Sequence, residues 1–259
     1  MEGVEAGRPG IAVAAGKPGI AVFGATSGIA RAVAERMASE GESLILIGRD
    51  PVALEGMARD LEKTSGKRFP VMAWDVTDFP GHAERFRSLS EAYELKGLFF
   101  AAGVLFPQDE CDRDPEKTRL TLETNLTGPA VILDMFAGYF RRRGLGFISC
   151  VSSVAGDRGR GKVLAYAASK AGLSAYLAGL RHRLAGTGVF VQTVKPGFVR
   201  TRMTEGVKSA LMAEPEKVAR DITAAIRHRR EVIYTPGIWK WIMLIIRNIP
   251  NPVFRRMKL

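Results

Sequence analysis

Short apolar runs alternate with longer stretches of helical periodicity from Gly19 onward. The runs are continuous, which is typical of parallel strands that helices cover on both faces. The pattern predicts six strands, at residues 20–24, 43–48, 69–75, 95–102, 146–152 and 189–195. It predicts helices between them, at residues 28–40, 51–65, 115–143 and 163–185. We therefore predict one α/β domain over residues 19–237, a Rossmann-like, doubly wound parallel sheet.

The two ends of the chain differ from this body. Residues 1–18 mix Gly, Ala and Pro with two glutamates, and their longest apolar run is too short for a signal-peptide core. We expect a flexible leader there, and an amphipathic, basic segment at residues 238–259. No apolar run approaches the length of about 18 residues that a membrane span needs.

Composition narrows the class of protein. With 259 residues, of which 46% are apolar, the chain can bury one sizeable core. Its two cysteines, Cys111 and Cys150, favour reduced thiols and a cytoplasmic location over a disulfide framework. The three histidines lack metal-ligand spacing, so we predict no metal site.

The first strand leads into a glycine-containing turn. Gly24 and Gly28 permit a tight turn and a close approach of backbone to phosphate, and Thr26, Ser27 and Ile29 complete the turn. The following helix offers unpaired N–H groups and a positive dipole end to an anion. Glycines at this spacing also occur in plain tight packing, but the place at the first βα turn favours a nucleotide pyrophosphate.

The end of the second strand bears on the choice of cofactor. An NAD site usually carries a carboxylate here, whereas this chain has Gly48 followed by Arg49, which suits the 2′-phosphate of NADP(H). Arg49 as a solvated surface charge is the alternative. Asp50 is predicted to cap the next helix. Asp75, after the third strand, could accept from the adenine amino group or cap the turn that follows.

Tyr166 and Lys170 are candidate catalytic residues. They stand four positions apart in a predicted helix, so their side chains share one face. An ammonium near a phenol favours the phenolate and lowers a pKa that starts near about 10, which would make Tyr166 a general acid. Ser153 follows the fifth strand and could donate a hydrogen bond to a substrate carbonyl oxygen. A packed ring beside a solvated amine is the alternative.

With these motifs in this order, residues 19–237 resemble the classical short-chain dehydrogenase/reductase family. The resemblance implies NADP(H)-dependent hydride transfer between nicotinamide and a carbonyl or secondary alcohol, in a homo-oligomer. It adds Asn125 to Ser153, Tyr166 and Lys170 as a catalytic tetrad, with Asn125 holding a proton-relay water. Lys170 would also bond the nicotinamide ribose. Further cofactor contacts are implied at Gly103, Pro196, Gly197, Val199 and Thr201.

The chain departs from the family pattern in two segments. Phe100-Ala101-Ala102-Gly103 replaces the usual Asn-Asn-Ala-Gly, and Phe23 replaces a threonine. We expect these changes to affect local stability and the cofactor floor, and to leave the reaction intact. They also keep a second function open, that of a catalytically idle NADP(H)-binding sensor or scaffold.

The carboxyl-terminal part carries a narrower resemblance. Residues 195–203 and 234–259 are similar to the reductase subunits of decaprenylphosphoryl-ribose 2-epimerases, which implies a lipid-linked 2-keto pentose as substrate. Residues 202–213, after the sixth strand, are expected to form a lid over it.

The charge and apolar content of this end agree with a lipid surface. Residues 227–259 hold eight Lys and Arg against Glu231 alone, which is +7 of the total formal charge of +11. The apolar run at 238–246 contains Trp239 and Trp241 and suits the membrane interface. We therefore expect peripheral contact with the cytoplasmic membrane face. Packing against a subunit or over the pocket is the alternative, and a nucleic-acid partner is not expected.

Overall fold

The computed structural model describes residues 17–257. The predicted leader at 1–18 lies outside these residues, except for Lys17 and Pro18. These two residues begin the first strand, so the domain starts earlier than the sequence pattern indicates.

Seven parallel strands form one sheet, which confirms the Rossmann-like doubly wound fold. The order across the sheet is β3-β2-β1-β4-β5-β6-β7. The strands are β1 Lys17–Phe23, β2 Leu44–Gly48, β3 Val71–Ala73, β4 Tyr93–Phe100, β5 Gly146–Val151, β6 Val189–Pro196 and β7 Val232–Thr235. The sequence pattern did not predict β7, because it is a four-residue edge strand of which only Thr235 is fully buried.

The helices cover both faces of the sheet. They are α1 Gly28–Ser39, α2 Pro51–Ser65, α3 His82–Ala92, α4 Gln108–Arg113, α5 Pro115–Leu122, α6 Gly128–Arg143, α7 Leu164–Arg183, α8 Pro215–Arg227, α9 Ile238–Asn248 and α10 Asn251–Phe254. The long helix predicted at 115–143 is divided into α5 and α6 by a π-helical turn at Glu123–Thr127. Such turns are frequent at functional sites.

Alternate side chains of the central strands enter two cores. Ile20 and Val22 of β1 pack with residues of α1, α2 and α8 on one face. Ala21 and Phe23 pack with α3, α6 and α7 on the other. Because both faces are apolar, the strands read as continuous apolar runs in the sequence.

An aromatic cluster accounts for the two departures from the family pattern. Phe23 and Phe100 are register partners on β1 and β4, and their rings stack with centroids 5.2 Å apart. The edge of Trp74 meets Phe23 at 4.9 Å, and Phe136 lies beside it at 6.3 Å. Stacked and edge-on rings each add stability beyond the area they bury. Apolar packing therefore joins the central strands where the family pattern has polar side chains.

Helix α9 has two different faces. Trp239 and Met243 are buried against Val154 on one side. Four large apolar side chains on the other side are exposed, namely Ile238, Trp241, Leu244 and Ile245. None of the helices in residues 17–257 has the length and apolar character that a bilayer crossing requires.

Candidate active site

A cavity of about 580 Å³ opens at the carboxyl ends of the central strands. This is where ligands bind in open α/β sheets. Most of the predicted site residues line it: Gly24, Thr26, Ser27, Gly28, Ile29, Arg49, Gly103, Ser153, Tyr166, Lys170, Pro196, Gly197, Val199 and Thr201. Asn125 and Asp75 are the two predicted residues that do not line it.

The turn after β1 is closely packed and leads into the N-terminus of α1. Gly24 has φ +68°, and a Cβ there would lie 2.7 Å from the backbone nitrogen of Ala102. A Cβ on Gly28 would lie 2.6 Å from the Thr201 side chain. Ser27 precedes α1 without capping it, and its buried hydroxyl has no partner among the described residues. An unpartnered hydroxyl at a helix N-terminus fits a pyrophosphate, so these residues suit a dinucleotide.

The neighbouring polar residues divide into one exposed cation and two turn caps. Arg49 is exposed at the cavity edge beyond β2. Asp50 accepts from the backbone of Val52 at 2.9 Å, which confirms it as the cap of α2. Asp75 accepts from the backbone N–H and hydroxyl of Thr77, both at 2.8 Å. Its position therefore favours the turn-capping alternative over an adenine contact.

Tyr166 and Ser153 meet inside the cavity. Burial raises the pKa of Tyr166, and a hydrogen bond with Ser153 opposes this shift without cancelling it. The expectation of a lowered pKa for Tyr166 is therefore wrong: burial is the largest influence and raises it, and the Lys170 Nζ lies 5.8 Å from the ring centroid. A phenol with a raised pKa keeps its proton at neutral pH, as an acid catalyst must. Ser153 accepts from Ala155 N–H at 3.1 Å, so its own proton is free to be donated.

Lys170 is buried, and its Nζ donates to the Val151 carbonyl at 3.0 Å. Burial lowers its pKa to about 8, because the charged ammonium loses solvent, while nearby Cys150 opposes the shift. An ammonium has three N–H donors, so two further ones can bind a ligand in the cavity. Lys170 is therefore a cation near neutral pH that can lose its proton in mildly alkaline solution.

Asn125 lies behind the cavity wall, in the π-helical turn. Its amide donates to the Val104 carbonyl and accepts from the Val104 N–H, both at 2.8 Å. It also donates to Ser169 at 3.3 Å. A Cβ on Gly103 would lie 3.0 Å from the Asn125 Oδ1 and 3.6 Å from the Lys170 Nζ. Asn125 therefore fixes the loop after β4 beside Lys170, and its role in a proton relay stays a prediction.

Contacts between residues distant in sequence hold helices α9 and α10 against the loops that follow β5 and β6. Arg158 donates to the carbonyls of Ile246 and Ile249, both at 2.6 Å, and stacks over the Phe254 ring at 3.8 Å. A Cβ on Gly197 would fall 1.8 Å from the indole nitrogen of Trp239, so the two are in direct contact. The loop after Ser153 is thereby joined to α9 and α10.

A buried polar network anchors the same loop. Asp157 forms an ion pair with Lys195 and accepts from the Tyr234 hydroxyl at 2.7 Å. Burial raises the pKa of Tyr234 to about 12, and its hydrogen bond to Asp157 adds to the shift. The network connects the loop to β6 and β7, so Ser153 stands on a braced segment.

Sequence reasoning missed several residues of the cavity. Arg160 lines it between Ser153 and Tyr166, and Leu105, Val154 and Phe198 add apolar surface. Arg202, Met203 and Thr204, at the start of the predicted lid at 202–213, line it too. Position between two catalytic residues was the available signal for Arg160. The apolar residues carry no such signal, because only the folded chain brings their loops together.

Comparison with known proteins shows the family to which this chain belongs. The profile of the short chain dehydrogenase family matches residues 19–211. The chain belongs to that family. An "Uncharacterized oxidoreductase" of Mycobacterium tuberculosis is 30% identical over 227 residues, covering 87% of this chain and 91% of the relative. An "Uncharacterized oxidoreductase" of Streptomyces coelicolor is 31% identical, with coverage of 87% and 90%.

A solved structure shares the fold over nearly the whole chain. It is a short-chain dehydrogenase from Sphingobium yanoikuyae in complex with NADPH, 25% identical, with a TM-score of 0.76. The match covers 90% of this chain and 97% of that one. Together with the oxidoreductase relatives, the match identifies this short-chain dehydrogenase as an NAD(P)-dependent oxidoreductase enzyme.

Proposed function

We propose that this short-chain dehydrogenase is an NADP(H)-dependent reductase of a carbonyl compound. One observation carries the proposal: Ser153, Tyr166 and Lys170 converge in a cavity whose other end holds Ser27 and Arg49. Arg49 supports NADP(H) over NAD(H), since Gly48 stands where a carboxylate would repel the 2′-phosphate. The NADPH found in the Sphingobium yanoikuyae relative agrees with this choice.

The chain's own residues hold the substrate oxygen and move the proton. Ser153 donates a hydrogen bond to the carbonyl oxygen and orients it toward Tyr166. Tyr166 gives its proton to the same oxygen as negative charge develops there. Lys170 would stabilise the phenolate that remains, since its buried ammonium lies 5.8 Å from the Tyr166 ring centroid. Bound at the Gly24 to Ile29 turn, NADPH would supply the hydride.

Substitution of Tyr166 by Phe tests this proposal. We expect Tyr166→Phe to lower kcat for ketone reduction by about 10² to 10⁴-fold, the range that general acid catalysis contributes. NADPH binding, measured by fluorescence titration, should change little. Tyr176→Phe, which removes the same hydroxyl from the same helix outside the cavity, serves as a matched control. Full turnover in Tyr166→Phe would refute the assignment.

A second experiment distinguishes the enzyme from the alternative of a catalytically idle sensor. A panel of ketones, extended to a polyprenyl-phosphate keto sugar, is offered with NADPH to the unmodified protein. Tight NADPH binding with no turnover of any carbonyl would favour a sensor or scaffold. The homo-oligomer implied by the family resemblance stays a prediction, which light scattering would check.

For the substrate class, we propose a lipid-linked carbonyl reached at a membrane surface. The exposed face of α9 supports this: Trp241 and Ile245 are 59% and 67% exposed, and Lys240 and Arg247 are on the same helix. Trp and Ile favour the headgroup boundary, and each basic residue near anionic lipid adds about 1 kcal/mol. The similarity to decaprenylphosphoryl-ribose 2-epimerase reductases in residues 234–259 also supports it.

Liposome flotation tests the membrane contact. A chain ending at Gly237 is unsuitable, because it also lacks the buried Trp239. The exposed triple variant Trp241→Ser, Leu244→Ser, Ile245→Ser leaves that residue in place. We expect the unmodified chain to float with phosphatidylglycerol vesicles and the triple variant to stay behind. The matched control is Val52→Ser, an exposed apolar residue on α2. Equal flotation of both variants would contradict the contact.

A further inference from the structure

Arg160 is a cation without a counter-ion in the cavity. It lies on the loop between Ser153 and Tyr166 and is half-buried. Within residues 17–257 its guanidinium has neither a hydrogen bond nor an ion pair, whereas neighbouring Arg158 is held by four acceptors. Burial lowers the pKa of Arg160, which signals that its charge is poorly solvated. A guanidinium in this position is stabilised by an anion.

The surroundings of Arg160 do not supply that anion. Leu105, Val154, Val163, Phe198 and Met203 add apolar surface to the cavity that Arg160 lines. Asp50 is the sole carboxylate among the lining residues of the described chain, and it caps α2 at the opposite end. Arg202 adds a second cation at the mouth, again with no side-chain partner in residues 17–257. The substrate end is therefore apolar and positively charged.

The cofactor phosphates lie at another part of the sheet. Arg49 follows β2 and the Gly24 turn follows β1, whereas Arg160 belongs to the loop after β5. The strand order places β2 three strands from β5, about 14 Å at the usual strand spacing. The turn after β1 is two strands away, about 10 Å. By its place on the loop between Ser153 and Tyr166, Arg160 belongs to the end of the cavity that holds the candidate catalytic residues.

We propose that Arg160 binds an oxyanion group of the substrate, so that the enzyme acts on carbonyl compounds carrying a carboxylate or a phosphate. The planar guanidinium suits either group through paired N–H donors. The apolar residues around it would hold the hydrocarbon part of the substrate. The inference rests on the proposed function, because Tyr166 and Ser153 fix where the carbonyl lies.

Binding is measured first, without turnover. Hexyl phosphate, hexanoate and 1-hexanol are titrated calorimetrically into the protein in the presence of NADP+. We expect the two anions to bind about 10- to 100-fold more tightly than the alcohol, and Arg160→Gln to remove the preference. Arg160→Lys should retain part of it. Lys162→Gln removes the same charge from the same loop outside the cavity and should retain all of it.

The comparison of probes separates the two sources of the anion. A preference for hexyl phosphate that Arg160→Gln abolishes indicates a phosphate ester, and a preference for hexanoate indicates an acid. Equal preference for anions over alcohol in Arg160→Gln and the unmodified protein would overturn the proposal. So would a comparable loss of NADP+ affinity in Arg160→Gln, since it would make Arg160 a cofactor contact.

Turnover then distinguishes this inference from the proposed function. The kcat/KM for a keto acid and for its methyl ester are compared in the unmodified protein and in Arg160→Gln. We expect the variant to lose about 10- to 100-fold on the acid and little on the ester. An equal loss on both overturns the oxyanion site while the reductase function stands. Anion binding without turnover of any carbonyl leaves the site in place and refutes the reductase function.

Discussion

The two sides of the cavity are built by different means. On the cofactor side, the shape of the site is set by local backbone contacts between residues close in sequence, as at Gly24, Ser27 and the cap of Asp50. On the substrate side, single side chains join distant segments, as Arg158 joins the loop after β5 to the end of α9. Backbone positioning leaves little freedom for substitution, whereas a wall of side chains can be changed one residue at a time. This difference explains how proteins of one fold can bind the same cofactor and differ in substrate.

The largest effect is expected on the cofactor side, from Gly24→Val. The side chain would force a left-handed backbone on a β-branched residue and meet the backbone of Ala101 and Ala102. We expect a loss of more than about 2 kcal/mol in the free energy of unfolding, with NADPH binding abolished. Denaturant titration and fluorescence measure the two. Gly56→Ala, in α2 with open space around it, should be neutral or slightly stabilising. Retained NADPH affinity in Gly24→Val would contradict the backbone argument.

The next effect is selective for one cofactor. Arg49→Ala should weaken NADPH binding by about 10- to 100-fold and leave NADH binding unchanged, because the 2′-phosphate loses a charge-assisted hydrogen bond. Parallel titrations with the two cofactors measure it. Arg59→Ala, an exposed arginine on α2 outside the cavity, is the matched control. An equal loss for NADH and NADPH would show that Arg49 does not read the phosphate.

A pH effect is expected where the two sides meet, at Lys170. Its pKa of about 8 means that the ammonium is charged below pH 8 and neutral above it. We expect kcat/KM for ketone reduction to fall above pH 8, by up to tenfold per pH unit, since this constant reports the free enzyme. An arginine stays charged at higher pH. In the residual activity of Lys170→Arg, the fall in kcat/KM should therefore begin at a higher pH. An unchanged profile in that variant would assign the fall to another group.

The smallest effect is expected on the substrate side, from Arg158→Ala. The variant frees carbonyls at the end of α9 and should loosen the loop that carries Ser153. We expect a three- to tenfold loss in kcat/KM, in line with about 1 kcal/mol per hydrogen bond, and an unchanged Kd for NADPH. Arg255→Ala removes an exposed arginine from the carboxyl-terminal segment that Arg158 contacts, and serves as a control. A weakened NADPH affinity in Arg158→Ala would show that the two sides are coupled.

The features predicted from sequence are those that neighbouring residues determine. The strands of the central sheet, the turn at Gly24 and the cap at Asp50 follow from local periodicity and turn chemistry. The edge strand β7 and helix α3 were missed, because few of their side chains are buried and no clear apolar pattern results. Helix α8 was also missed, although Val218, Ala219 and Ile222 form a buried apolar face on it. The π-helical turn at Glu123–Thr127 has no local signature.

The chemistry of the site was predicted less completely than its residues. The cavity holds Ser153, Tyr166 and Lys170 as expected. The pKa of Tyr166 moves in the unexpected direction, because desolvation depends on how deeply the folded chain buries a group. Arg160 and the contact of Trp239 with Gly197 were missed for the same reason. Their importance comes from neighbours that are distant in sequence.

The clamp at Arg158 has a consequence for the order in which the domain assembles. Its backbone partners on Ile246 and Ile249 lie 88 and 91 positions further along the chain. Contacts of such sequence separation are costly to form early, because the loop that they close must first lose its conformational entropy. The turn after β1, which neighbouring residues build, would therefore form before the loop that bears Ser153 is fastened.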